Sequence, residues 1–283
     1  MLFRSIKLIT KMKFAFSTNA YRQYSLEESI TSIKNAGYSA LEIMCDTPHA
    51  YPPLTDERIL QIKNKLENDK MSISNLNGFM LCAIQDFHHP SWIEESIEFR
   101  DKRIEHTKNC IILADKLNVK TVSTQPGGPI EGIPKEKDLK IFETGIKTLI
   151  PLLEQTKVKL LIEPEPNLLI ENSDQFLEFM KRIETDFIKL NFDIGHFFCV
   201  NEDPADLVLK LEQFIEHVHL EDISKDRVHN HLIPGHGTIN FEKIFSNLEK
   251  IRYEGFITIE LYPYLEQPEK AASEALNHLK SMM

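Results

Sequence analysis

Short apolar runs alternate with longer amphipathic segments along the whole chain. The runs are rich in β-branched and aromatic residues, a composition that favours β-strands. The predicted strands are KFAFS (13–17), ALEIM (40–44), SISNL (72–76), TVST (121–124), LLIEP (160–164), IKLNFD (188–193), HVHL (217–220) and FITIEL (256–261). Eight strands in 283 residues leave ~35 residues for each strand and its connection.

The segments between these runs carry helix signals. SLEESITSIKNAG begins at the N-cap candidate Ser25, has Glu28 at capping-box spacing and ends at the C-cap candidate Gly37. TDERILQIKNKLEND has apolar residues on one face at helical spacing. Further helices are predicted over residues 91–118, 135–155, 204–211, 241–250 and 268–280.

Strands that alternate with helices predict parallel pairing through right-handed crossovers. We therefore expect an α/β fold, a (β/α)₈ TIM barrel that forms a single domain over residues 12–283. The competing architecture is a doubly wound open sheet, which a glycine-rich phosphate loop after the first strand would favour. The segment at that place, FSTNAYRQYS, contains no glycine, and this favours the barrel.

The first residues, MLFRSIKLITK, are basic and acid-free but lack an apolar core and a small-residue cleavage site. We expect residues 1–11 to be an N-terminal extension or the result of a misplaced start codon rather than a targeting signal.

Composition and charge restrict the partners. The net charge of −10 argues against a sequence-independent hold on nucleic acid, which needs clustered cations. The four cysteines form no C-x-x-C pair and are expected as free thiols in a reducing compartment, the cytoplasm. Since no apolar stretch approaches ~20 residues, no membrane span is expected. The sequence leaves open whether the chain forms a homo-oligomer.

Polar, metal-competent side chains stand at the ends of four successive predicted strands. They are Glu163 and Glu165 in LLIEPEP, Asp193 and His196 in NFDIGH, His217, His219 and Asp222 in EHVHLED, and Glu260 in FITIELYPY. In a parallel barrel all strand carboxyl ends meet on one face, where the active site lies. Carboxylates that converge in a protected cleft repel one another, and a divalent cation relieves that repulsion. The pattern therefore predicts a metal site.

Strand alternation distinguishes the individual candidates. His217 and His219 share a face, and His219 lies nearer the mouth, which leaves His217 a layer deeper. Glu163 directly follows its apolar run and is preferred as a ligand, while Glu165, between two prolines, is expected to contact substrate or support the ligands.

The order E-P, D-x-G-H, H-x-H-x-x-D and I-E resembles the xylose isomerase-like TIM-barrel superfamily. This group includes sugar isomerases and epimerases of the D-tagatose 3-epimerase kind, inosose dehydratase and the apurinic endonuclease IV type. The resemblance runs from about residue 13 to the end of the chain, with its motifs mainly between 160 and 261. It implies that one divalent metal is bound by four side chains, Glu163, Asp193, His219 and Glu260. It also implies that His196 contacts substrate or a second metal, and that Arg227 is the basic residue after the H-x-H strand.

The expected activity is sugar or polyol-ketone isomerisation or epimerisation. A metal that chelates the carbonyl would stabilise an enediolate, with Glu163 and Glu260 as base and acid. Mn²⁺ is favoured among Mn²⁺, Mg²⁺, Co²⁺ and Zn²⁺. The substrate is expected to be a small, non-phosphorylated sugar or polyol. The predicted substrate-binding residues are His196, Glu165, Arg227, His231 of the loop DRVHNHLIPGHGTINF, Gln125 and Asn77.

Three alternatives remain at this point. An endonuclease of the type IV branch uses three zinc ions and needs early histidines, but STQPGGP has Gln125 at one such place and no histidine lies between Met71 and Leu81. A dehydratase of the inosose type would use the same ligands. A barrel without catalysis could serve as a binding protein.

Overall fold

The computed structural model describes residues 12–130 and 135–283, and its eight strands close into one parallel barrel in the order β1 to β8. The strands are β1 Lys13–Ser17, β2 Ala40–Met44, β3 Ser72–Asn77, β4 Thr121–Thr124, β5 Lys159–Ile162, β6 Ile188–Asp193, β7 Ile215–Leu220 and β8 Phe256–Ile259. Parallel pairing of β1 with β8 closes the barrel. The predicted (β/α)₈ fold in a single domain is confirmed. The predicted extension, residues 1–11, lies outside the described residues.

Helices cover the outside of the barrel. They are α1 Leu26–Asn35, α2 Asp56–Asp69, α3 Ile97–Leu117, α4 Glu136–Thr156, α5 Ser173–Met180, α6 Ile194–Cys199, α7 Pro204–Lys210, α8 Phe241–Lys250 and α9 Pro268–Ser281. Two of them, α5 and α6, and a 3₁₀ turn at Thr18–Tyr21 are absent from the sequence prediction. They have four to eight residues, so their sequences show little helical period.

Helix α1 begins as its sequence predicts. The Ser25 hydroxyl accepts the N–H of Glu28 at 3.3 Å, and the Glu28 carboxylate accepts the N–H of Ser25 at 2.8 Å. This capping box satisfies two backbone donors at the helix start. At the other end Gly37 has φ +98°, a left-handed conformation that glycine adopts without strain.

The two faces of each strand have different environments. In β2, Leu41 and Ile43 are fully buried on the face toward the helices, whereas Glu42 points into the barrel. Its carboxylate lies 2.7 Å from His219 of β7, a strand that is not its neighbour, so this contact crosses the barrel interior. The interior below the strand ends is therefore polar, and this layer supports the candidate site.

Within the described residues, no helix is long and apolar enough to cross a membrane. All four cysteines are free thiols, as predicted.

Candidate metal centre

Four side chains from successive strand ends converge at the carboxyl end of the barrel. Glu163 directly follows β5, Asp193 ends β6, His219 lies in β7 and Glu260 directly follows β8. One ligand atom from each lies within 4.8 Å of the others. All four side chains are buried, with Glu260 the most exposed at 6%. The structure thus brings together the four residues that the sequence predicts as ligands.

We call these four side chains the cage, and His219 lies in its middle. Its Nδ1 lies 2.8 Å from Glu163 Oε1, 3.7 Å from Glu260 Oε1 and 3.8 Å from Asp193 Oδ2. Three carboxylates therefore surround one imidazole nitrogen. The same nitrogen lies 3.1 Å from Nδ2 of Asn191.

The donor atoms of the cage fit a divalent cation. Oε2 of Glu163 and Oδ2 of Asp193 are buried and have no hydrogen-bond partner. Leaving a buried carboxylate oxygen unpaired is costly, and a cation would remove that cost. Mixed carboxylate and imidazole ligands suit Mn²⁺, Co²⁺ or Zn²⁺. The donor atoms of these four residues therefore fit a divalent metal.

The pKa shifts point to the same conclusion. Burial, together with the neighbouring carboxylates, raises the pKa of Glu260 well above its ordinary value and raises that of Glu163, although His219 opposes both shifts. Burial lowers the pKa of His219, but the charges of Glu42, Glu163 and Glu260 outweigh it and the net shift is upward. Without a cation, the cage retains protons in order to limit its negative charge. A bound cation would replace those protons.

Glu42 of β2 belongs to the site but is missing from the sequence prediction. It accepts hydrogen bonds from Ser17 (2.8 Å) and Asn75 (2.8 Å), and its Oε2 lies 2.7 Å from Nε2 of His219. Burial raises the pKa of Glu42, but His219 and His217 outweigh this effect and hold it well below the ordinary value. An ionised Glu42 accepts the Nε2–H of His219 and leaves Nδ1 for the cation. The available signal was an isolated acid within the apolar strand ALEIM.

Other groups fix the orientation of the ligands. Oδ1 of Asp193 accepts the N–H of His196 at 2.7 Å and thereby caps α6, which leaves Oδ2 free. Oε1 of Glu260 accepts from Asn19 Nδ2 at 2.7 Å and from Asn77 Nδ2 at 3.3 Å. Asn77, predicted to bind substrate, therefore lines the pocket above the cage and also holds Glu260 in place.

Three histidines form a second cluster beside the cage. His196, His229 and His231 each offer a ring nitrogen, and these atoms lie within 4.8 Å of one another. His196 donates Nδ1–H to the Pro164 carbonyl (3.0 Å), and His231 donates Nδ1–H to the Glu260 carbonyl (2.8 Å). Burial lowers the pKa of His196 and of His229 to about 3, and it lowers the pKa of His231 well below the ordinary value. The three rings are therefore neutral, and each can accept a hydrogen bond or bind a cation.

Glu165 lies between His88 and His229. Its Oε1 is 3.5 Å from Nε2 of His88 and 3.8 Å from Nδ1 of His229. Burial raises the pKa of Glu165 to about 7. His88 is absent from the sequence prediction because it stands eleven positions beyond the end of β3 (88 − 77).

Two predicted substrate-binding residues do not line the pocket. Gln125 is buried and donates from Nε2 to the backbone carbonyl of His88 at 2.7 Å. Arg227, with φ +59°, places its guanidinium 3.9 Å from the centre of the Phe198 ring and donates to the Phe198 carbonyl. The pocket is lined by Asn19, Asn77, Phe79, Met80, Phe87, Glu163, Glu165, His196, His229, His231, Glu260 and Tyr262.

Asp222 holds the loop that carries His231. Its carboxylate accepts the N–H groups of Ile223, Gly235, Gly237 and Ile239 at 2.8 to 3.1 Å. A Cβ on Gly237 would lie 2.3 Å from Asp222 Oδ1, so only glycine allows this approach. Asp222 thus has a structural explanation and does not reach the cage.

The chain belongs to the xylose isomerase-like TIM-barrel family, whose model matches residues 30–282. The inosose dehydratase of Clostridium beijerinckii is 24% identical over 280 residues, covering 92% of this chain and 90% of that protein. A solved D-tagatose 3-epimerase-like protein has a TM-score of 0.79 and 25% identity, covering 96% of this chain and 98% of the other. The IolI protein, solved with a zinc atom, has a TM-score of 0.78 and 19% identity, covering 96% and 98%.

Proposed function

We propose that this chain is a divalent-metal-dependent isomerase or epimerase of a sugar or polyol ketone. One observation supports this proposal most directly: four buried side chains meet at one place, with ligand atoms within 4.8 Å of one another. They are Glu163, Asp193, His219 and Glu260. The similarity to a D-tagatose 3-epimerase-like structure supports this class of reaction. Mn²⁺ is our preferred ion and the cytoplasm our preferred location, in keeping with the free cysteines.

A divalent cation in the cage would supply positive charge that stabilises negative charge on a substrate carbonyl oxygen. The Glu163 carboxylate has two oxygens, so one can bind the cation while the other takes the proton from the neighbouring carbon. The electron pair of the broken C–H bond stays in the substrate as an enediolate. Glu260, whose Oε1 is held by Asn19 and Asn77, would carry the proton that is returned. Return on the opposite face of the same carbon gives an epimer. Return on the neighbouring carbon, with the hydroxyl proton passing from one oxygen to the other, gives an isomer.

The pocket lining indicates a substrate without phosphate. The residues that line it carry carboxylate, imidazole, amide and aromatic groups, and none of the lining residues that the structure describes is lysine or arginine. A phosphate there would meet Glu163, Glu165 and Glu260 without a compensating cation side chain. The aromatic rings of Phe79, Phe87 and Tyr262 offer an apolar wall, which suits the C–H face of a sugar ring.

The test is solvent deuterium exchange in a screen of ketoses and inositol-like ketones. The metal-loaded protein should incorporate deuterium at the carbon next to the carbonyl, and Glu260→Gln should lose about 10²–10⁴-fold of that rate. Metal content is measured in parallel, so that lost chemistry is distinguished from lost metal.

Glu216→Gln is the matched control. Glu216 is also a carboxylate on a barrel strand, β7, but it pairs with Lys159 outside the pocket. Its exchange rate should equal that of the parent. If Glu260→Gln exchanged deuterium at the parent rate, Glu260 would have no role in proton transfer.

Two other reactions compete with this proposal. A dehydratase would release a product lighter by one water, and the similarity to inosose dehydratase supports including that measurement in the same screen. A phosphodiester hydrolase is favoured by the three-histidine cluster beside the cage, which could hold a further cation. Three zinc ions per chain together with nicking of abasic DNA would select the hydrolase, and one metal per chain would exclude it.

A further inference from the structure

The pocket above the cage is too small for the substrate that the cage would bind. Its free volume is about 20 Å³. A space of this measure accommodates about one water molecule, which needs ~10–15 Å³, whereas pockets for small ligands enclose ~300–1,000 Å³. A sugar can enter only if part of the wall moves.

The walls differ in how firmly they are held. Asn77 ends β3, and Glu163 and Glu260 follow strands directly, so the closed barrel fixes this floor. The opposite wall comes from the lid segment, which we define as residues 79–90 between β3 and α3. It contributes Phe79, Met80 and Phe87 to the pocket, while the consecutive residues 82–86 on its outer side are exposed.

Arg103 of α3 holds both ends of the lid segment. Its fully buried guanidinium donates to the carbonyls of Gly78 (3.1 Å) and Phe79 (3.0 Å) at one end and to that of Pro90 (2.7 Å) at the other. Near the first end, Asp46 accepts the N–H groups of Cys82 and Ala83. Both ends of the segment are therefore anchored to the barrel.

The tip of the lid segment is stiff by itself. Oδ1 of Asp86 accepts the N–H groups of His88 (2.9 Å) and His89 (2.7 Å), and the N–H of Asp86 donates to the His89 carbonyl at 3.0 Å. A segment with fixed ends and a braced tip can swing as one piece.

Three contacts join the tip to residues that follow other strands of the barrel, β4, β5 and β8. The Phe87 ring lies 5.6 Å from the Tyr262 ring, measured between centroids. His88 Nε2 lies 3.5 Å from Glu165 Oε1. Gln125 donates to the His88 carbonyl at 2.7 Å, so the side chain that was predicted to bind substrate instead holds the tip.

We propose that residues 79–90 form a lid that swings away from Tyr262 and Glu165 to admit a small molecule. Closure places the His88 side chain beside Glu165 and seals the cage from water. Gln125 is a positioning residue for the closed lid. The inference rests on the proposed function only in requiring that a cation and a small molecule reach the cage.

The test ties the lid to the far wall and follows metal release. Phe87→Cys with Tyr262→Cys, in a background with Cys82→Ser and Cys199→Ser, is loaded with Zn²⁺ and joined by a short bis-maleimide. EDTA should then remove the metal at least ~10-fold more slowly than from the same protein capped with N-ethylmaleimide. The capped protein carries the same substitutions without the tether. Equal release rates from tethered and capped protein would overturn the lid.

A second variant tests the same contact without a cross-link. Phe87→Ala removes the ring that meets Tyr262, so EDTA should remove Zn²⁺ several-fold faster while the urea midpoint of the metal-free protein stays near that of the parent. An unchanged release rate would count against closure through Phe87. Since no substrate is used, both results are independent of whether any ketose is turned over.

Discussion

At the residue scale, Glu42 shows how the barrel interior prepares a ligand. His219 Nε2 lies against Glu42 while Nδ1 faces the three carboxylates, so the two ring nitrogens have different tasks. Ser17 and Asn75 donate to Glu42 and keep its carboxylate in place. This chain of contacts fixes both the direction of the imidazole and the position of its proton.

We expect Glu42→Gln to weaken metal binding by about 10–100-fold, because an amide accepts the Nε2–H less strongly and leaves the ring less basic. Isothermal titration with Mn²⁺ and Zn²⁺ measures the change. Glu143→Gln is the control, a buried carboxylate in α4 that pairs with Lys140 and Lys147 far from the cage. Equal affinity in Glu42→Gln and the parent would remove Glu42 from the site.

The contrast between Glu163 and Glu42 explains what the sequence can reveal. Glu163 directly follows an apolar run, and a barrel gathers all such positions on one face, so the pattern predicts it. Glu42 is inside a strand, where the sequence alone does not tell which face enters the barrel. His88 reaches Glu165 from a loop whose path depends on Arg103 and Asp86, a long-range arrangement with no local signal.

At the element scale, α6 links the metal cage to the histidine cluster. Asp193 ends β6 and caps α6, and His196 stands in the first turn of that helix. Gly195 allows this turn, because a Cβ there would lie 1.7 Å from Oε1 of the buried Glu221. The strands were predictable from their apolar runs, but α6 was not, because a helix of six residues has too few turns to show a period.

Gly195→Ala should destabilise the protein by ~1–3 kcal/mol, the usual effect of forcing an added methyl group into a packed interior. Urea unfolding of the metal-free protein measures this difference. Adding Glu221→Ala removes the group that the methyl would meet, so the double variant should lose less stability than the two single changes summed. Full stability of Gly195→Ala alone would show that the Glu221 side chain moves freely.

At the scale of the whole molecule, the barrel buries a group of acidic side chains, and this burial disfavours their ionised forms. Burial raises the pKa of Glu260, Glu163 and Glu165, the last to about 7. Between the ordinary carboxylate pKa of ~4.3 and these raised values, the folded state holds more protons than the unfolded chain. His219, whose pKa is also raised, contributes in the same direction. Buried histidines with a lowered pKa, such as His196 and His229, act in the opposite direction below the ordinary imidazole pKa of ~6.5, because only the unfolded chain is protonated there. The metal-free protein should therefore lose stability as the pH rises from about 6.5 to 8.

A divalent cation should reverse this trend, since it binds the deprotonated carboxylates and the neutral imidazole. Its stabilising effect follows RT ln(1 + [M]/Kd), and Kd falls as the ligands lose their protons. The increase in melting temperature on adding Mn²⁺ or Zn²⁺ should therefore be small at pH 5 and largest at pH 8. Asp193→Asn is the matched control, because it keeps the shape of a ligand but removes its charge, and its increase should be reduced at every pH. A metal-induced increase that is the same at pH 5 and pH 8 would mean that the ion binds without displacing protons, and therefore outside the buried carboxylate cage.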